Sequence, residues 1–102
     1  MPRLPYAALT LIEQVRVERP KAKVEHADEP DGLGVVRSIK FDKRTSDWLA
    51  PLLESIHDPR IQSTKVTEAG YLYVTFIPQP QADQRTRFPL AEAAEVQASE
   101  GD

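Results

Sequence analysis

The stretch GYLYVTFIPQPQ, residues 70–81, limits the fold more tightly than any other part of the chain. Leu72, Val74 and Phe76 alternate with Tyr71, Tyr73, Thr75 and Ile77, and a period of two marks a strand whose faces meet different surroundings. Pro78 and Pro80 then stop it, because proline has no N–H to give a ladder. A chain with such a strand must build a sheet, cover Leu72, Val74 and Phe76, and present two tyrosines on the opposite side.

The remaining elements follow from the same kind of pattern. IQSTKVT precedes the tyrosine strand, and a tight turn around Glu68, Ala69 and Gly70 predicts a hairpin. VVRSIKF, 35–41, is rich in β-branched residues and reads as a strand with Val35, Arg37, Ile39 and Phe41 on one face. Val36, Ser38 and Lys40 take the other face. KAKVEHA, 21–27, predicts a shorter strand, and DEPDGLG between the two is a loop. A helix is predicted from Ser46 or Asp47 through Ile56, with Trp48, Leu49, Leu52, Leu53 and Ile56 as its apolar stripe. Pro51 is expected in or near its first turn, and Pro59 ends it. Over LPYAALTLIEQVRVERP, the spacing of Leu4, Ala8, Leu11, Ile12 and Val15 predicts a helix, while Val15 and Val17 alternating with charged residues keep a strand as the alternative.

The resulting order, αββαββ, is two copies of one αββ unit in element order alone. It predicts an α+β, two-layer sandwich: an antiparallel sheet of about four strands with two helices on one face. Residues 1–78 form the single α+β domain. Residues 79–102 are expected to be a flexible polar tail with a short helix over 89–98, because PQPQADQRTR has no apolar periodicity. If that tail docks, Phe88 and Leu90 are its anchors and the open sheet face its receptor.

Composition bounds the function. The 102 residues fit one domain, and the absence of cysteine excludes disulfides, thiolate metal sites and a cysteine nucleophile. No apolar run approaches the ~20 residues of a spanning helix, and the N-terminus lacks a cleavage site, so a cytoplasmic protein without a membrane is expected. The chain is a small acidic protein of net charge −3. Its charge is uneven: residues 1–45 hold nine Lys/Arg against seven Asp/Glu, and residues 81–102 hold two against five. Lys40, Lys43 and Arg44 cluster, which reads as a solvated turn.

Chemistry of the catalytic kind finds little support. His26 lies in VEHADE among carboxylates, a pattern that a solvated turn also produces, and His57 suits a helix C-terminus. No GxSxG, HExxH or phosphate-cradling glycine loop is present, so neither an enzyme, a metal nor a cofactor is expected.

Tyr71 and Tyr73 therefore carry the functional question. Tyrosines on an open sheet face serve cross-strand packing, a protein interface, or base stacking. For the last, AGYLYVTF resembles the RNP1 strand of the RNA-recognition motif, K/R-G-F/Y-G/A-F-V-x-F/Y, through Gly70, Tyr71, Tyr73, Val74 and Phe76. The resemblance implies that Tyr71 and Tyr73 stack bases while Leu72, Val74 and Phe76 enter the core. Ala69 and Leu72 depart from that pattern, VVRSIKF offers no companion aromatic, and no fourth strand follows the hairpin. LLESIHDPRIQSTKVTE also looks like the helix–DPR–strand passage of ribosome-binding factor A. The expectation is a non-catalytic protein-interaction or oligomerisation module, a homodimer or a partner complex. It would use the open face through Tyr71, Tyr73, Thr75, Val36 and Lys40; the alternative is a single-stranded RNA-binding module.

Overall fold

A computed structural model describes residues 3–78 and 84–100. The elements are α1 (Tyr6–Glu18), β1 (Val24–His26), β2 (Ser38–Phe41), α2 (Lys43–Ile56), β3 (Ile61–Val66), β4 (Leu72–Phe76) and α3 (Leu90–Glu100). The strands form one antiparallel sheet in the order β1-β2-β4-β3. Each αββ unit contributes one hairpin, and the two hairpins join through their inner strands β2 and β4. With α3 set aside, the element order read cyclically from β2 is βαββαβ, the order of the split βαβ motif. The fourth strand is therefore supplied by β1, from the N-terminal side, and the tyrosine strand β4 is central.

One core holds the layers together. Ile39, Phe41, Leu72, Val74 and Phe76 from the sheet meet Ala7, Ala8, Leu11 and Val15 of α1 and Leu49, Leu52 and Leu53 of α2. The first segment is a helix: burial of Leu11 and Val15 on one side of α1 outweighs the local alternation around Val17, which stays exposed. Among the described residues no helix is long and apolar enough to cross a membrane.

The starts of α2 and β2 differ from the sequence expectation. α2 begins at Lys43 because Asp42, in extended conformation, takes the N-cap place; Thr45 and Ser46 are buried in the first turn. Pro51 consequently lies in mid-helix. It is exposed, as is Asp47, so the carbonyl of Asp47 that it leaves without a helical donor is on the wet side. β2 is short because Arg3 takes over its N-terminal end: the N–H of Arg3 donates to the Gly34 carbonyl at 2.8 Å, and that of Val36 to the Arg3 carbonyl at 2.7 Å.

The described part of the expected tail begins at Gln84. Over 84–95 the expected tail is anchored on the core: Phe88, Leu90 and Ala93 are buried. The anchors are those expected, but the receptor is the helical side. Gln14 of α1 engages both backbone polar groups of Phe88, donating to its carbonyl at 2.9 Å and accepting from its N–H at 2.7 Å. The linker positions 79–83 lie outside the described residues.

Candidate functional site

The sheet face opposite the core follows from the register. Pairing of Glu25 with Lys40, Lys40 with Tyr73 and Tyr73 with Lys65 makes a row across all four strands. A second row runs from Ser38 through Thr75 to Ser63. Opposed residues in an antiparallel ladder share a face, so these side chains lie together, away from Ile39, Phe41, Leu72 and Val74. The buried apolar residues described in the three helices belong to the core on the other face.

Tyr71 is 39% exposed, whereas Tyr73 and Thr75 are half-buried. The Lys40 ammonium lies 4.7 Å from the centre of the Tyr71 ring and 3.2 Å from the Glu25 carboxylate. Its hydrogen bond to Glu25 holds Lys40 above the ordinary lysine range, against the opposing effect of desolvation. Thr75 and Ser38 share a hydrogen bond of 2.9 Å between their hydroxyls. Val36, whose N–H donates to the Arg3 carbonyl, is only 1% exposed and so offers no surface to the expected site.

Beside the Tyr71 end, an open groove of about 630 Å³ is lined by Lys21, Lys23, Lys40, Lys43, Arg44 and Tyr71 with Glu25 and Asp42. Five cations thus face two carboxylates. Strand pairing assembles it. Val24 opposite Phe41 sets Lys23 against Asp42, and the two backbones are tied by the Asp42 N–H donating to the Lys23 carbonyl at 3.2 Å. Continuation of that register carries Lys21 towards Arg44.

The groove's carboxylates are already engaged. Glu25 pairs with Lys40, and Asp42 accepts from the Thr45 hydroxyl at 2.6 Å and the Lys23 N–H at 3.1 Å. Burial pushes the Asp42 carboxyl up, but these hydrogen bonds, Thr45 foremost, outweigh it and hold it below the usual aspartate range. Among the described residues the ion pairs are Lys40–Glu25 and Arg60–Asp58, so Lys21, Lys23, Lys43 and Arg44 carry charge with no acidic partner.

Gly70 fixes one of these cations. Its φ of +94° suits the hairpin turn, and a Cβ there would stand 3.0 Å from Cγ of Lys43. The missing side chain leaves room for the Lys43 stem next to Tyr71. Lys21 and Lys23 escaped sequence reasoning because they are about twenty residues from Lys43; only the alternation of KAKVEH, which aims them to one side, hinted at a shared role.

His26 is exposed, and among the described residues no group of three His, Cys, Asp or Glu is arranged to hold a metal ion. No protein-family model matches the chain, and neither curated proteins nor solved structures yield a match.

Proposed function

We propose that the protein is a non-catalytic single-stranded RNA-binding module that stacks bases on Tyr71 and Tyr73. The observation that carries this reading is the place of the two rings. Tyr73 stands on the central strand β4 of a four-stranded sheet, on the face without helices and between Lys40 and Lys65 in one cross-strand row, and Tyr71 immediately precedes that strand with the Lys40 ammonium over its ring. An aromatic platform bordered by cations is what a single strand of nucleic acid needs: rings for the bases and charge for the phosphates. The RNP1-like spacing of Gly70, Tyr71, Tyr73, Val74 and Phe76 supports it, and so does the burial of Leu72, Val74 and Phe76.

Two features that speak against RNA, the net acidic charge and the lack of a strand after the hairpin, lose force. The net charge of −3 is segregated, leaving cations concentrated near Tyr71. The sheet has its fourth strand in β1. The lack of a companion aromatic stands, because β2 brings Ser38 and Lys40 to this face and no ring, so both aromatics come from one stretch of chain at β4. Contact with a protein is less well supported: Glu25, Lys40 and Lys65 are what the core of a protein interface ordinarily lacks.

The test is fluorescence anisotropy with a labelled single-stranded RNA at low salt. Saturable micromolar binding is expected, and Tyr71→Ser/Tyr73→Ser should weaken it by about 1–3 kcal/mol per ring. No saturable binding by the wild type, together with a dimer by light scattering that the same double substitution dissolves, would overturn the reading in favour of self-association.

A further inference from the structure

We infer that the groove formed by Lys21, Lys23, Lys43 and Arg44 carries the sugar–phosphate chain of the bound RNA beyond the sheet. The site then engages more nucleotides than the two tyrosines can stack. This rests on the RNA reading above and adds a second, electrostatic half to the same site.

The groove opens directly at Tyr71, which lines it, so a strand stacked on the rings leaves the sheet over these cations. Their charge is available to a ligand. Glu25 is satisfied by Lys40, Asp42 by Thr45 and the Lys23 backbone, and none of the four cations has an acidic partner among the described residues. Their placement is built in rather than incidental. Lys23 is held at the start of β1 by its backbone tie to Asp42, and the Lys43 stem lies against Gly70. An open groove of about 630 Å³ bordered by several separate cations suits an extended polyanion, since a lone phosphate would use only part of it. Tyr71 aside, every side chain that lines it is charged, so it offers no apolar pocket for a base, which assigns the groove to backbone and the rings to bases.

The experiment compares a labelled oligouridylate tetramer and dodecamer across a potassium chloride series. It uses the wild type, the Lys21→Ala/Lys23→Ala/Arg44→Ala variant and the Tyr71→Ser/Tyr73→Ser variant. The three groove substitutions should weaken dodecamer binding roughly tenfold or more and reduce the slope of log K against log salt by about 2, three cations at about 0.7 each. Tetramer binding should change by less than about threefold, the phosphate contacts that it lacks being those removed. The tyrosine variant should weaken both oligomers. If the groove variant keeps wild-type dodecamer affinity and slope, the inference is overturned while the stacking reading stands. If the wild type binds neither oligomer, both fall. Displacement of the dodecamer by inorganic phosphate at matched ionic strength would overturn it in favour of a free-anion site. Circular dichroism checks the fold of each variant, and Lys43→Gln/Arg44→Gln, with the same expected selectivity for the dodecamer, replaces the triple variant if that one does not fold.

Discussion

Arg60 is a charged side chain only 5% exposed, and its surroundings explain how that is tolerated. Asp58 receives it in a fork, Nε to Oδ1 at 2.9 Å and an Nη to Oδ2 at 2.8 Å. The other Nη donates to the carbonyl of Thr86, and the guanidinium lies 3.9 Å from the centre of the Phe88 ring. Every polar edge is thus used, as a buried charge requires. The hydrogen bond from Arg60 holds the Asp58 carboxyl below the usual aspartate range, against a smaller upward push from burial. A depressed carboxylate contributes stability that is present above its unfolded value, about 3.9, and disappears as pH falls through the folded value. Asp58→Asn should therefore cost about 3–5 kcal/mol at neutral pH, because it leaves Arg60 buried and unpaired. The gap between variant and wild type should close below about pH 4. Urea denaturation at several pH values measures this; a gap independent of pH would mean that the pair does not hold the segment. Nothing in DPRIQ marks Arg60 as buried, since its partners Thr86 and Phe88 are about 26 residues away.

At the scale of elements, the segment leading into α3 is part of the packed structure. Phe88 is 2% exposed, with Arg60 on its ring and Gln14 on its backbone, so Phe88→Ala should cost about 3–5 kcal/mol, in the range of a core phenylalanine such as Phe76. Thermal melts of the two variants side by side test it. A Phe88→Ala melting temperature equal to wild type would return residues 84–95 to the status of a dispensable tail. The sequence undervalues this segment because its apolar residues are sparse. Phe88, Leu90 and Ala93 become a buried set only when α1 and α2 provide the surface they share. α2 shows the reverse. Its stripe is legible at helical spacing, yet its start is displaced to Lys43, where the Thr45 hydroxyl donates to the Asp42 carboxylate and Thr45 and Ser46 are buried.

For the whole molecule, one core joins α1, α2, the sheet and the start of α3, which predicts a single cooperative transition. Trp48 fluorescence and far-ultraviolet circular dichroism should give coincident urea curves. Separate midpoints would identify α3 as an independently unfolding unit. The sequence by itself determined the α+β class, the αββαββ order and most of the core. Leu11, Ile39, Phe41, Leu52, Leu53, Leu72, Val74 and Phe76 are all buried, because periodicity is a local property that burial on one face imposes on each element. It also set Tyr71 and Tyr73 on the face opposite Leu72 and Val74, since alternation leaves no other choice. Only the tertiary structure decided the strand order, the burial of Val36 and its pairing with Arg3, the docking of Phe88 on the helical side, and the meeting of Lys21 and Lys23 with Lys43 and Arg44. Each of these joins residues far apart in the chain, and long-range pairing is settled by the summed packing of the whole core rather than by any local pattern.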